Sequence, residues 1–381
     1  MNIENMYKKK LSAYTEGNEE LFFYWKGRVA LYAILKSMGV DEGDEVILPA
    51  FTCVVVPNAI IYAGAKPIYV DIIPETYNMD ISKLENAINE KTKVIICQNT
   101  FGLSSNIEEI IALAQKFNLY TIEDCTHGFG GYYNEKFNGT NCDSAFFSTQ
   151  WNKPFSTGIG GFALINNFGL LEKIKLLEKN KIRPSLFDNL NILFLILARK
   201  IFVNSFTYWI VLKLYRFLSV KGIVLGSSSN DELNSIEMPV HFFKGMSKVQ
   251  LIIGIYESNR LEKLIERRKR NATLYSEFLF IHKKNHVVKN LFNNHSFLKY
   301  PILVKNREVF FETARVNKIE LGDWFISPLH PIKKDFVKWK FDINDFPIAE
   351  KMSEHIVNLP LEKKNIIRVL RFLESNMDNL M

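Results

Sequence analysis

The sequence predicts an α/β protein in which helices cover a mostly parallel sheet, followed by a smaller α+β domain. Between residues 27 and 165, short apolar runs alternate with segments of helical period, a pattern typical of such a sheet. The chain has 381 residues, which is enough for two packed domains. We therefore expect an N-terminal segment over 1–24, a large domain over 25–235 and a small domain over 236–381.

The alternation predicts the elements of the large domain in order. The helices are Arg28–Met38, Val54–Tyr62, Ile81–Ile88, Ile107–Phe117 and Leu170–Lys179, and the strands are Glu45–Pro49, Pro67–Asp71, Thr92–Gln98, Leu119–Ile122 and Phe162–Ile165. Because ligands gather at the carboxyl ends of parallel strands, we expect Phe51, Asn99 and Asp124 to converge there.

The sequence of the last third of the chain predicts mainly helices. A long basic helix is expected over Ser247–Phe280, and its run Arg267–Arg270 is most simply a solvated face. The elements of the last hundred residues are a strand near Leu298–Val304 and helices near Arg307–Asn317, Ile348–His355 and Lys364–Ser375. These mixed elements predict a small α+β domain.

Composition excludes some classes of protein. Formal charge is 48 − 41 = +7, spread along the chain, and no nucleic-acid recognition motif occurs, so we expect no nucleic acid partner. The cysteines show neither CxxC spacing nor a zinc-type cluster, so no metal site is expected; they are Cys53, Cys97, Cys125 and Cys142. Buried reduced thiols and a polar start without a signal peptide indicate a cytoplasmic protein.

An apolar insert at about 186–220 departs from this composition. Its apolar runs are interrupted by Arg199, Lys200 and Asn204, whereas a transmembrane helix needs about 20 uninterrupted apolar residues. Two alternatives are open. The insert forms two helices in the core or a dimer interface, or it is an amphipathic surface that makes peripheral contact with the inner face of the membrane through 187–220.

A lysine, an acid and a glycine turn form the candidate site. Lys153 follows Ser148 and precedes a glycine-rich turn, while Asp124 follows an apolar strand. Pyridoxal 5′-phosphate needs a lysine for covalent attachment and a carboxylate for its ring nitrogen. It also needs amides and hydroxyls for its phosphate, which Gly27-Arg28 at a helix start and Ser148 could supply.

Each of these residues also has an ordinary explanation. A single lysine is usually on the surface, and an acid after a strand is often a turn or helix cap. A lone histidine such as His127, one turn after Asp124, is usually structural. The ordered spacing of the whole set, with His127 placed to brace the carboxylate or meet the cofactor ring, favours the cofactor interpretation.

The order of motifs resembles one known family, the DegT/StrS-type nucleotide-sugar aminotransferases among the fold type I pyridoxal-phosphate enzymes. The resemblance covers most of residues 25–365 except the insert. The matching stretches are Gly27–Leu31, Gly43–Pro49 with Phe51-Thr52, Gly64–Ile72, Ile122–Asp124, Ser148 with Lys153, Gly160-Gly161, Met246–Gln250, Phe346–Glu350 and Leu359–Leu361. The resemblance implies a fold type I aminotransferase-like architecture with a seven-stranded-type sheet.

The resemblance also implies roles. Lys153 would attach the cofactor and move the proton of the donor, Asp124 would pair with the ring nitrogen, and Ser148 with the Gly27-Arg28 turn would hold the phosphate. His127 would lie near the cofactor. The implied donor is L-glutamate, the acceptor a keto sugar on a nucleotide for surface polysaccharide or glycolipid synthesis, and the assembly a homodimer.

Some positions depart from the family pattern. Cys53 stands where the family has an aromatic residue on the ring, and Phe51 is the candidate replacement. A family Asn that reaches the neighbouring subunit is missing, with Lys244 as its candidate substitute, and Ile159 replaces a Glu. Lys153 argues against the dehydratase branch, which has His there. A pyridoxal-phosphate lyase or dehydratase and a silent membrane-associated relative stay as alternatives.

Overall fold

The computed structural model describes residues 2–204, 207–220 and 230–381. Its helices are α1 Ile3–Leu11, α2 Gly27–Ser37, α3 Val55–Tyr62, α4 Ile81–Ala87, α5 Ile107–Lys116, α6 Leu171–Glu178, α7 Leu186–Phe202, α8 Tyr208–Val220, α9 Asn230–Asn234, α10 Lys248–Ser258, α11 Leu261–Ile281, α12 Arg307–Val316, α13 Pro347–His355 and α14 Ile367–Ser375. Its strands are β1 Leu21–Tyr24, β2 Glu45–Pro49, β3 Thr52–Cys53, β4 Lys66–Val70, β5 Thr92–Gln98, β6 Tyr120–Asp124, β7 Tyr132–Tyr133, β8 Lys136–Phe137, β9 Ser144–Ser148, β10 Gly161–Ile165, β11 Tyr300–Leu303, β12 Leu329–His330 and β13 Ile356–Leu359.

Seven of the strands in the described residues form one sheet, in the order β1-β10-β9-β6-β5-β2-β4. The pairs from β9 to β4 are all parallel, and only β1 and β10 add antiparallel pairings at one edge. Strands such as β2, β9 and β10 are buried at every position, as expected when helices cover both faces. The predicted fold class is confirmed.

The predicted elements of the large domain are found within one or two residues of their expected bounds. The sequence did not predict α1, α9 or the strands β1, β3, β7, β8 and β9. β1 is four apolar residues and β9 is Ser-Ala-Phe-Phe-Ser, and runs this short lack the alternation that marks a strand. β1 lies within the expected segment 1–24, yet it pairs with β10 in the main sheet. The division of the chain into 1–24, 25–235 and 236–381 stays a prediction.

The expected single helix over Ser247–Phe280 is wrong. The structure has two helices, α10 and α11, which meet at Asn259-Arg260. Gly254 of α10 packs against Tyr7 of α1, where a Cβ would lie 2.4 Å from the ring. By contrast, Arg268 of α11 is buried and contacts Pro154 and Glu362. The chain bends because its two halves pack on different partners, and the basic run is not wholly solvated.

The insert forms a hairpin of α7 and α8. Most of its large apolar side chains are exposed, and among the described insert residues that form α7 only Ile192 is buried. Burial in the core of a single chain is therefore excluded as the role of the insert. No helix in the described part of the chain combines the length and apolar character needed to span a bilayer.

Candidate active site

Lys153 lies in the loop between β9 and β10. This loop, residues 149–160, is closed by the Thr149 amide, which donates to Gly160 O at 2.9 Å, and by the Thr157 amide, which donates to Thr149 O at 2.8 Å. The hydroxyls of Thr149 and Thr157 are 2.7 Å apart. The loop follows β9 and therefore emerges at the carboxyl end of that strand. Because β9 runs parallel to β6, the carboxyl end of β6 lies at the same edge of the sheet.

The amine of Lys153 has a perturbed pKa. Burial lowers the pKa of Lys153 to about 8, and attraction to Asp124 and to Cys53 only partly opposes this. Repulsion from Lys299 and Arg28 adds to the lowering. An amine with a pKa near neutrality is available as a nucleophile and as a proton carrier.

Asp124 is the last residue of β6 and is 3% exposed. Its Oδ1 accepts a hydrogen bond from the Thr126 amide at 2.9 Å. Burial raises the pKa of Asp124, while Thr126 and the positive charge of Lys153 lower it. A buried carboxylate of this kind is stabilised by a cationic partner, so Asp124 is suited to hold a protonated ring nitrogen.

His127 is held as a neutral ring. Its Nδ1 accepts a hydrogen bond from the Phe101 amide at 3.2 Å, which assigns the ring proton to Nε2. Burial lowers the pKa of His127 well below its usual value, and repulsion from Lys153 and Lys299 adds to this. The imidazole stacks on Trp324, with ring centroids 4.9 Å apart and planes 13° apart.

Trp324 and Lys299 are site residues that sequence reasoning missed. The Nζ atoms of Lys153 and Lys299 lie 4.6 Å and 5.0 Å from the centroid of the Trp324 ring. Burial also lowers the pKa of Lys299 to about 8, against the attraction of Glu362. Neither residue belongs to a recognisable motif. They lie far from Lys153 in the sequence, and only the fold brings them close to its amine.

Phe51 and Cys53 have different positions in the site. Phe51 is fully buried, and its ring packs on Phe325 with centroids 4.9 Å apart, so it belongs to an aromatic core. Cys53 lies in β3, which pairs with β12 at His330. Its electrostatic attraction raises the pKa of Lys153 and so opposes part of the effect of burial. The aromatic ring that contacts Lys153 is therefore Trp324 and not Phe51.

Glycines allow the start of α2 to approach β9 and β10. A Cβ on Gly161 would lie 2.3 Å from Gly27 Cα, and a Cβ on Gly27 would lie 3.0 Å from Ser148 Cβ and from Phe147 O. α2 begins without a side-chain cap from Lys26. The Oγ of Ser148 accepts from the Gln150 amide at 3.4 Å. Ser148 and the first turn of α2 thus adjoin each other, and a helix start of this kind favours an anion.

The side chain of Arg28 points to a carboxylate. Its Nη1 is 2.5 Å from Glu232 Oε1, and Lys26 Nζ is 3.2 Å from Glu232 Oε2. Glu232 is 2% exposed and lies in α9. Burial and the charge of Arg28 lower the pKa of Lys26 to about 8 despite Glu232. The structure thus directs the guanidinium of Arg28 to Glu232.

Lys244 contacts the insert. Its Nζ is 3.2 Å from both carboxylate oxygens of Asp188 and 5.1 Å from the centroid of the Trp25 ring. Ile159, in the loop of Lys153, is fully buried in a small cluster with Trp25 and Ile192. The apolar residue at position 159 therefore packs against the insert.

The loop of Lys153 is held from outside the sheet. The Arg268 Nη2 donates to Pro154 O at 3.0 Å, and the Arg199 Nη2 donates to Asn152 Oδ1 at 3.2 Å. Arg199 also lies over the Trp151 ring, 4.9 Å from its centroid. Side chains of α11 and of the insert therefore position the residues on both sides of Lys153.

These residues fit pyridoxal phosphate. A buried amine of lowered pKa lies within electrostatic reach of a buried carboxylate, as covalent attachment and a ring-nitrogen contact need. Flat rings, Trp324 and His127, lie beside the amine. Gly27 and Gly161 allow the first turn of α2 to lie directly against Ser148, so backbone amides of a helix start and a hydroxyl are side by side, as a phosphate needs. In the described residues no group of side chains could hold a metal ion.

Comparison with known families agrees with this geometry. The model of the DegT/DnrJ/EryC1/StrS aminotransferase family matches residues 4–190 and 213–366. The matched ranges include Lys153 and Asp124 together with Gly27 and Ser148. The unmatched residues 191–212 fall within the hairpin of α7 and α8.

Individual relatives agree with the family match. GDP-perosamine synthase of Escherichia coli O157:H7 is 43% identical over 147 residues, 39% of this chain and 40% of that protein. An uncharacterized protein of Methanocaldococcus jannaschii is 29% identical over 348 residues, 88% of this chain and 78% of that protein. The crystal structure of a DegT DnrJ EryC1 StrS aminotransferase from Brucella abortus has a TM-score of 0.75 at 20% identity, covering 99% of this chain and 90% of that chain. This last likeness shows the shared fold.

Proposed function

Because the chain belongs to the DegT/DnrJ/EryC1/StrS aminotransferase family, we propose that it transfers an amino group from L-glutamate to a keto sugar carried on a nucleotide. The observation that carries the proposal is the half-buried Lys153 beside the buried Asp124, each of which shifts the pKa of the other. A keto sugar is the class of acceptor consistent with a family relative named GDP-perosamine synthase. The product would serve surface polysaccharide or glycolipid synthesis, and the proposed assembly is a homodimer.

The cofactor is pyridoxal 5′-phosphate, which supplies an electron sink when bound. Lys153 would hold it covalently and would carry the proton that leaves Cα of the donor. Asp124 would keep the ring nitrogen protonated, since its buried carboxylate is stabilised by a cation. Ser148 and the backbone of Gly27-Arg28 would bind the phosphate, since the guanidinium of Arg28 is already paired with Glu232.

Other side chains would shape the site around these residues. The neutral His127 could donate from Nε2, because its Nδ1 already accepts from the backbone. Trp324 would cover the amine of Lys153 and exclude water from one side. Lys299, on the same indole ring, keeps a second positive charge near the site and so favours Lys153 in its neutral, reactive form.

The test is amino transfer from L-glutamate to a panel of nucleotide-linked keto sugars. We expect 2-oxoglutarate and amino sugar in equal amounts, and a loss in kcat of at least about 10³-fold in Lys153→Ala. Lys173→Ala is the matched control, since Lys173 is an exposed lysine of α6.

The alternatives give different results in the same assay. Sugar conversion without 2-oxoglutarate would indicate a lyase or dehydratase. Bound cofactor with no turnover of any acceptor would indicate a catalytically silent relative. Full turnover by Lys153→Ala would overturn the role of Lys153.

A further inference from the structure

The helices α7 and α8 carry many exposed apolar side chains. On α7 the exposed apolar side chains recur at spacings of three and four residues. We call these residues, with their counterparts on α8, the outer face: Phe187 (71% exposed), Leu190 (64%), Phe194 (67%), Leu197 (48%) and Ile201 (67%), with Ile210 (71%), Leu214 (54%) and Phe217 (54%). Exposed apolar surface of this extent on one element marks an interaction site.

The opposite side of α7 is attached to the protein. Ile192 is fully buried, Asn189 Oδ1 accepts from the Val249 amide at 3.2 Å, and Asp188 pairs with Lys244 at 3.2 Å. Arg199 reaches Asn152 next to Lys153. These contacts fix the orientation of α7, so the α7 residues of the outer face point away from the body of the molecule.

The charge of the hairpin is one-sided. The sequence of α7 and α8 has one acid, Asp188, which pairs with Lys244 on the attached side of α7, whereas residues 189–220 contain Arg199, Lys200, Lys213 and Arg216. Lys200 and Lys213 are exposed. Aromatic residues are frequent in the same stretch, including Tyr208 and Trp209. Apolar and aromatic side chains bordered by cations without acids are the composition of helices that lie in the interface of an anionic bilayer.

A second copy of the chain fits this face less well. An interface between two hairpins would bring cations of one copy to cations of the other, with no acid from residues 189–230 to pair with them. The apolar stripe on α7 covers only about two heptads, and stable coiled coils need about three to four. Phe194, Leu197, Ile201 and Ile210 lie in residues 191–212, which the family match leaves out, so this half of the outer face is not a surface shared across the family.

We propose that the outer face docks on the surface of an anionic phospholipid bilayer, with α7 and α8 lying in its plane. The inference goes beyond the proposed function and does not depend on it. Because the inner side of α7 contacts the loop of Lys153, docking would hold that loop about one helix diameter, ~10 Å, from the headgroups.

The test is flotation of the full-length protein with phosphatidylcholine vesicles that contain or lack phosphatidylglycerol. We expect flotation only with the anionic lipid, and a decrease of at least about tenfold in the triple variant Leu190→Ser, Phe194→Ser, Ile201→Ser. The matched control is Leu176→Ser, Phe280→Ser, Ile281→Ser, which removes equally exposed apolar side chains (62%, 68% and 73%) outside the hairpin. This control should float like the wild type.

A second arm tests the charges. Lys200→Gln and Lys213→Gln should each weaken binding to the anionic vesicles about fivefold, because each basic residue adds attraction to the surface. Arg199 is left unchanged because it contacts the loop of Lys153. Added salt should weaken the binding of the wild type in the same direction.

Several outcomes would overturn the proposal. Absence of wild-type flotation with phosphatidylglycerol would exclude docking on an anionic bilayer. Equal flotation of both triple variants would place the contact elsewhere. A triple variant that lowers the oligomeric mass in analytical ultracentrifugation, without changing flotation, would identify the outer face as an interface between copies.

Discussion

Around Lys153, basic and aromatic side chains are half-buried against one another, whereas on the outer face of the α7–α8 hairpin the same residue types are exposed. Lys153 and Lys299 share the ring of Trp324. Lys200 and Lys213 border apolar side chains that face outward. The two regions are neighbours, since α7 contacts the loop through Arg199.

The difference between the regions is one of solvation. Burial removes water from the amine of Lys153 and lowers its pKa to about 8, which turns an ordinary cation into a base and nucleophile. An exposed lysine keeps its hydration and acts as a point charge toward distant anions. Residue type alone therefore does not distinguish a reactive lysine from one that interacts with a charged surface.

After Lys153→Ala, the largest expected effect is that of Asp124→Asn, which tests the buried half of the comparison. An amide keeps the hydrogen bond from Thr126 and loses the negative charge beside Lys153. We expect kcat for amino transfer to fall about 10²- to 10³-fold, since an electrostatic contact to the reacting group is lost. Steady-state kinetics with L-glutamate and the keto sugar measure this.

The matched control for Asp124→Asn removes an acid from the hairpin. The carboxylate of Asp188 accepts a hydrogen bond from the Ser185 amide and forms an ion pair with Lys244. Asp188→Asn should cost about 1 kcal/mol of the free energy of unfolding, as other helix-start substitutions do, while kcat stays essentially unchanged. An equal loss of kcat in both variants would contradict the separate roles of the two regions.

A pair of substitutions on α7 compares its two sides. Ile192→Ala should lower the free energy of unfolding by about 2–4 kcal/mol, because Ile192 is fully buried and its removal leaves a cavity. Leu190→Ala, two residues earlier, should change it by less than about 0.5 kcal/mol, because Leu190 is exposed. Urea denaturation of the apoprotein measures both values.

Comparable losses in the two α7 variants would mean that the outer face is covered in solution. Leu176→Ala, at a similarly exposed leucine of α6, controls for the intrinsic effect of shortening a leucine on a helix surface. Comparable losses in Ile192→Ala and Leu190→Ala, without such a loss in Leu176→Ala, would favour contact between copies over a face that is free to bind the bilayer.

The smallest expected effect is a shift in the titration of Lys153. Acylation of the apoprotein, followed by mass spectrometry of the Lys153 peptide, should rise with pH through a midpoint of about 8, because only the neutral amine reacts. In Lys299→Met the midpoint should move upward, since the repulsion that favours the neutral amine is removed. Lys299→Arg keeps the charge and should keep the midpoint. An unchanged midpoint in Lys299→Met would exclude this coupling.

Much of the fold was predictable because its signals are local. The strands Glu45–Pro49 and Thr92–Gln98 have the expected bounds, since buried parallel strands form continuous apolar runs between helical periods. β1 and β9 were not found because runs of three or four apolar residues alone do not distinguish a strand from a buried helix. The break between α10 and α11 was missed because it results from packing on two different partners.

Only those residues of the candidate site that belong to local sequence motifs were predictable. Lys153 and Asp124 follow ordered patterns, and the structure brings both to the carboxyl edge of the sheet. Trp324 and Lys299 come from the small-domain side, about 170 and 150 residues after Lys153, and no local pattern marks them. The same holds for Glu232, which takes the guanidinium of Arg28.

By itself the sequence determined the fold class and the family, and it predicted Lys153 and Asp124 as site residues, because periodicity and motif spacing are properties of the chain. Only the tertiary structure decided that Trp324 contacts Lys153, that Phe51 packs in the core, and that one side of α7 is buried while the other is exposed. These facts depend on contacts between distant segments and on the exclusion of water. They lower the pKa of Lys153 and set the surface that α7 leaves exposed.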